Sequence, residues 1–196
     1  MNKNIFITGS NGLFGTSLKK VLIEKKIKFK VFKRNKFKKY DKFYFSKFFN
    51  KNKFTHIINL AAYTDVDGSE KNKKNCDLVN VKFVKNICEG IKLCNFKIKL
   101  IHFSTDQMYT DEKINSEKNS NIKNYYTLSK IKSEKLAMSV NAIVLRTNFF
   151  GKSLTKKRIS FSDWIYNSIK NDKKIYLAED INFSPISIDR LIKIIL

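Results

Sequence analysis

Short apolar runs alternate along this chain with longer segments in which apolar residues recur every three or four positions. Residues 4–8 (NIFIT) are such a run and end at Gly9, as a buried parallel strand does. Residues 13–26 follow with Leu18, Val21 and Leu22 at helical spacing. Residues 28–32 alternate basic and apolar side chains and suit a second strand, while the aromatic stretch 43–49 predicts a short helix. A third buried strand is expected at 56–60 (HIINL). A long helix is expected over 76–93, from the spacing of Val79, Phe83, Val84, Ile87 and Ile91. Residues 99–104 read as a fourth strand, 115–123 as a polar loop, 125–139 as a helix and 142–146 as a fifth strand.

Strands alternating with helices of this size predict an α/β fold with a doubly wound parallel sheet of the Rossmann type. Ligands of such sheets sit beyond the carboxyl ends of the strands. After Gly151 the pattern changes: a polar loop, a helix over 161–170, a short strand over 174–177, and a last helix starting near Ser187. Ser187 is placed to cap that helix, with Asp189 favourable in its first turn. The apolar pattern Leu191, Ile192, Ile194, Ile195 and Leu196 reaches the last residue without a stop signal. The expectation is therefore one domain over 1–150 and part of a second lobe over 151–196. No internal repeat is visible.

The chain has 196 residues, of which 42% are hydrophobic and 13% aromatic, enough to bury a core. No apolar run reaches membrane-spanning length and the first residues lack a signal-peptide pattern, so a cytoplasmic location is expected. Cys76, Cys88 and Cys94 are odd in number and lack CxxC spacing, which predicts free thiols and no metal site. The formal charge is +23, from 40 Lys and Arg against 17 Asp and Glu. Such a balance invites a nucleic-acid reading. Yet the lysines are spread along the chain and accompany many Asn, Ile, Phe and Tyr, with only one Pro and six Gly. A chain-wide compositional bias accounts for this better than a basic groove, and residues 28–42 read as a solvated surface. No nucleic-acid or membrane partner is expected.

Three motifs carry the chemistry. Gly9-x-x-Gly12-x-x-Gly15 sits where the first strand turns into the first helix, so backbone amides and the helix N-terminus face a pyrophosphate. After the second strand, Val31-Phe32-Lys33-Arg34 replaces the acidic residue that would hold an adenosine ribose. A cationic fork with Arg34 favours a 2′-phosphate, hence NADPH, with NADH as the alternative. Tyr126 and Lys130 are four residues apart on one helix face, where the ammonium is expected to lower the phenol pKa for proton exchange. Thr105, ending the fourth strand, supplies a hydroxyl for the same carbonyl, and Asp106 and Gln107 at the mouth are candidates for substrate hydroxyls. Tyr125 lacks a lysine four residues on. His56 and His102 read as structural and Trp164 as core.

These residues resemble extended short-chain dehydrogenases, and within them dTDP-4-dehydrorhamnose reductases and their sugar-nucleotide relatives. The resemblance rests on Thr8-Gly9-Ser10-Asn11-Gly12, on residues 58–67 (INLAAYTDVD), and on Val79-Asn80 and His102-Phe103-Ser104-Thr105-Asp106. It continues in Asn124-Tyr125-Tyr126 to Lys130, in residues 146–151 (RTNFFG), and in Phe183-Ser184-Pro185-Ile186. It implies reduction of a 4-keto, nucleotide-linked deoxysugar for surface polysaccharide biosynthesis, with Thr105, Tyr126 and Lys130 as the catalytic trio. Gly9, Asn11, Gly12, Leu13, Phe14 and Gly15 would hold the pyrophosphate. Ala61, Ala62 and Tyr63 would line the path from adenosine to nicotinamide, Lys130 would reach the nicotinamide ribose, and Asn148 would face the substrate. The division at residue 150 then separates an NAD(P)-binding domain from a substrate-binding lobe that is incomplete relative to the family. Family members often dimerise, so a homodimer is an expectation without a legible interface. Two departures stand out: Ile122 replaces a usual proline, and Met108-Tyr109-Thr110 alters the usual loop. Two alternatives stay open, an epimerase or dehydratase of the same fold and a non-catalytic, cofactor-binding regulatory protein.

Overall fold

The computed structural model describes residues 3–33, 40–109, 114–155, 159–177, 179 and 184–196. Five strands, β1 (Asn4–Thr8), β2 (Lys28–Val31), β3 (His56–Asn59), β4 (Lys99–Phe103) and β5 (Ile143–Leu145), form one sheet in the order β2-β1-β3-β4-β5. Every ladder is parallel. Chain order reverses between β1 and β3, which places the topological switch point, and its crevice, beyond their carboxyl ends.

The sheet alternates its side chains between two cores, as a strand periodicity of two requires. Ile5, Ile7, Ile58, Ile101 and Phe103 face α1 (Leu13–Glu24) and α8 (Ile188–Ile195). Phe6, Ile57 and Leu100 face α2 (Lys42–Asn52) and α5 (Phe83–Lys92), with Ala137 of α6 (Tyr125–Met138) in the same cluster. The doubly wound α/β expectation is thus met. The aromatic run read as a short helix is α2, whose Phe45 and Phe49 are fully buried.

The helix expected over 76–93 forms as a continuous run over 73–92, with an unforeseen π-type segment inside it and a short extra helix before it. Helix α3 (Val66–Lys71) stops at Asn72, whose side chain caps α4 (Lys73–Asp77), and a wide turn with π-type bonding follows over Leu78–Lys82. Apolar spacing does not register such a turn, because one inserted residue costs little periodicity.

Two further differences lie beyond residue 146. No strand forms at 174–177. Instead a two-residue parallel ladder joins β6 (Phe149–Phe150) to β7 (Ile186–Ser187) across the expected boundary, and α8 buries Ile188, Leu191 and Ile192 in the α1 core. Helix α7 (Phe161–Lys170) has its predicted bounds and a Ser160–Asp163 capping box. Trp164, expected in the core, is 39% exposed and stacks on Phe161. Among the described residues no helix is long and apolar enough to cross a membrane.

Candidate active site

The first motif builds a cradle at the switch point. Gly9 sits at φ +67°, and a Cβ there would lie 2.5 Å from the Leu60 carbonyl carbon. The residue therefore needs both the left-handed conformation and the missing side chain. A Cβ on Gly15 would lie 2.6 Å from the Gly9 oxygen, so this glycine lets α1 start against the strand end. Gly12 precedes α1 and offers no side-chain cap, which leaves first-turn amides for an anion.

A cavity of about 150 Å³ opens here, lined by Gly9, Ser10, Asn11, Gly12, Phe32, Leu60, Ala61, Ala62, Thr64 and Val79. Leu13, Phe14, Gly15 and Tyr63 do not line it. Phe14 belongs to the core, with its ring 4.9 Å from Phe103, so it can meet a phosphate only through its backbone amide. Arg34 lies outside the described residues, and Lys33 beside it is exposed. Val79 and Asn80, in the wide turn, had no chemical reading from the sequence. Asn80 accepts from the Tyr63 N–H at 2.8 Å and donates to Ser129 Oγ at 2.9 Å, joining the β3 loop to α6.

The second and third motifs meet at the carboxyl end of β4. Asn124 and Thr127 form a capping box at the start of α6, which fixes the turn carrying Tyr126. The Tyr126 phenol lies beside the Thr105 hydroxyl, which accepts from the Gln107 N–H at 3.2 Å. Lys130, 2% exposed, donates from Nζ to the Phe103 carbonyl at 2.7 Å. Burial pulls its amine down to about 8, against the carboxylate of Glu134 one turn along. Tyr125 is committed elsewhere, donating to Asp77 at 2.8 Å.

One expectation about this trio is corrected. Tyr126 is not lowered by Lys130 but pushed up to about 12, first by burial, with the neighbouring Thr105 side chain opposing. Desolvation dominates because the phenol is buried while the lysine amine is aimed at a backbone carbonyl. Tyr126 is therefore a phenol at neutral pH, the form that donates a proton.

At the mouth, burial raises the Asp106 carboxyl, while its own backbone and next the neighbouring Asn148 side chain oppose that rise. Gln107 is exposed, as is Asn148. An unforeseen hub stands behind them. Arg146 donates to both Glu134 carboxylate oxygens (3.0 Å and 2.8 Å) and to the Glu117 and Asn119 carbonyls (2.9 Å and 2.7 Å), with its guanidinium over the Tyr109 ring. It ties the loop before α6 to α6 itself. Nothing local in the sequence signals the pair, because Glu134 is on α6 and its partner follows β5.

The family described as RmlD substrate binding domain matches residues 3–196. A probable low-salt glycan biosynthesis reductase of Haloferax volcanii is 28% identical over 138 residues, 66% of this chain and 45% of that protein. The chain thus spans less than half the length of that curated relative. Among solved structures, a hypothetical dTDP-4-dehydrorhamnose reductase of Sulfolobus tokodaii superposes with a TM-score of 0.82 at 26% identity, over 98% of this chain and 70% of that one. A dTDP-4-dehydrorhamnose reductase of Bacillus anthracis, in complex with NADP, gives 0.82 at 21% identity, over 100% of this chain and 69% of that one.

Proposed function

The chain belongs to the RmlD substrate binding domain family, and from that premise we propose that it is an NADPH-dependent reductase of a 4-keto, nucleotide-linked deoxysugar, serving glycan or surface polysaccharide assembly. The cradle fits a dinucleotide on its own geometry. Side chains are excluded at Gly9 and Gly15, Ala61 and Ala62 keep the β3 side open, and α1 presents uncapped amides. Gly9, Asn11 and Gly12 would hold the pyrophosphate, with the backbone of Leu13 and Phe14. Lys33 and Arg34 favour the 2′-phosphate of NADPH. The dihydronicotinamide supplies the hydride.

The chain's own groups do the rest. The Thr105 hydroxyl and Tyr126 phenol bind the substrate carbonyl oxygen, and Tyr126 gives it a proton as the carbonyl carbon is reduced. Lys130, its amine held on the Phe103 carbonyl, would reach the nicotinamide ribose, and solvent returns the proton to Tyr126. Asp106, Gln107 and Asn148 would receive sugar hydroxyls. The observation that carries this reading is the grouping of Thr105, Tyr126 and buried Lys130 at the carboxyl end of β4, at the same end of the sheet as the Gly9–Ala62 cleft. The test is a fluorescence titration with NADPH and NADH, followed by turnover of 4-keto-sugar nucleotides. Saturable binding, tighter for NADPH and lost for Lys130→Ala, with NADPH oxidised only when keto-sugar nucleotide is present, is the expected result. A folded chain that binds neither dinucleotide refutes the proposal.

A further inference from the structure

Just beneath the site, an apolar row of the sheet gives way to a polar one. Phe6, Ile57 and Leu100 are direct register partners across β1, β3 and β4, and all three are buried. Two residues further along each strand, on the same face, stand Thr8, Asn59 and His102, again direct partners and at most 1% exposed. Ser133 of α6, fully buried, covers the end of that row. Burying four polar side chains side by side is unfavourable unless every group is satisfied.

They are satisfied in a single direction. The Ala61 N–H donates to Thr8 Oγ1 at 3.1 Å, and the Thr8 hydroxyl donates to Asn59 Oδ1. The Asn59 amide then meets His102 Nδ1 at 2.9 Å, and His102 Nε2 meets Ser133 Oγ at 3.0 Å. Ser133 spends its one proton on the Lys130 carbonyl at 2.8 Å. Ser133 must therefore accept from an Nε2–H, and His102 Nδ1 must be bare to accept from Asn59. Burial, and next the charge of Lys130, keep the ring neutral, as this arrangement requires.

Both ends of the chain lie in the site. Ala61 lines the cleft and Thr8 immediately precedes Gly9, while Lys130 carries the buried amine. We infer that Thr8, Asn59, His102 and Ser133 form one polarised hydrogen-bond chain that positions the dinucleotide cradle relative to the Lys130 turn of α6, with His102 as a fixed neutral Nε2–H link. The inference rests on reading the Gly9–Ala62 cleft as the dinucleotide site. All four are positioning residues, since none is placed to touch the reacting atoms.

Two measurements decide it. The chain has two histidines, so a His56→Gln variant assigns the His102 ring nitrogens in a nitrogen-15 spectrum, and the Nε2–H tautomer is expected. The second is a double-variant cycle on NADPH affinity with Thr8→Val and Ser133→Ala, which sever opposite ends. Each single change is expected to weaken NADPH about three- to tenfold, the size of one lost hydrogen bond. The double variant should be no worse than the poorer single one within about twofold, because a chain broken once no longer transmits position. Thr8→Ser, which keeps the hydroxyl, should bind as the wild type does and shows that the hydroxyl is what matters.

Multiplicative losses in the double variant, unchanged affinity in both singles, or an Nδ1–H tautomer would overturn the inference while leaving the proposed function intact. A wild-type chain that binds no dinucleotide refutes the function, and the positioning role with it.

Discussion

Replacing Lys130 by methionine should make the protein more stable near neutral pH while removing its proposed function. Lys130 is buried, and its amine falls from 10.5 to about 8, chiefly through desolvation. Below about 8 the native and unfolded chains both hold the proton, so the cost of the buried charge is present in full. Between about 8 and 10.5 the unfolded chain still holds it and the native chain does not, so stability rises with pH. At about 1.4 kcal/mol per pH step, the cost near neutrality is on the order of 3 kcal/mol.

Methionine matches the lysine stem in length and carries no charge. It forfeits the hydrogen bond to the Phe103 carbonyl, a loss of about 1–2 kcal/mol. The difference leaves Lys130→Met more stable by about 1–2 kcal/mol near pH 7. Above about 8 the wild type recovers its penalty, so the advantage should shrink and turn into a deficit of about 1–2 kcal/mol near pH 10.5. Urea unfolding of both chains at several pH values reads this difference, from which titrations common to both cancel. A variant less stable near pH 7, or a gap that does not move with pH, would refute the reasoning.

Three other outcomes are expected. Tyr126→Phe keeps the buried ring and removes the proton donor, so kcat for keto-sugar reduction should fall about 10²–10⁴-fold, with NADPH affinity retained in the fluorescence titration. Gly9→Ala imposes a side chain at φ +67°, 2.5 Å from the Leu60 backbone; it should cost upwards of about 2 kcal/mol in urea unfolding and abolish dinucleotide binding. Arg146→Lys cannot span the Glu134 carboxylate and the Glu117 and Asn119 carbonyls together. It should lose about 2–4 kcal/mol and expose residues 114–123 to limited proteolysis, whereas an unchanged digestion pattern would show that the hub does not hold that loop.

The sequence by itself determined the elements that local periodicity encodes. Short apolar runs such as NIFIT, ending at a glycine, read as strands buried on both faces, and Tyr126 and Lys130, four apart, share one face of their helix. The glycines after β1 announced a turn that no side chain fits, and the order of the motifs announced the family. Tertiary structure decided what depends on partners distant in the chain. The polar row Thr8–Asn59–His102 looks in sequence like three unrelated interruptions of apolar strands and becomes one network only when the parallel register aligns them. The pairing of Glu134 with Arg146, the wide turn that brings Asn80 to Ser129, and the exposure of Trp164 are likewise absent from any local pattern. Even the direction of the Tyr126 shift reversed the local expectation. A neighbouring charge is visible in the spacing of residues, but desolvation is set by everything that packs around a group.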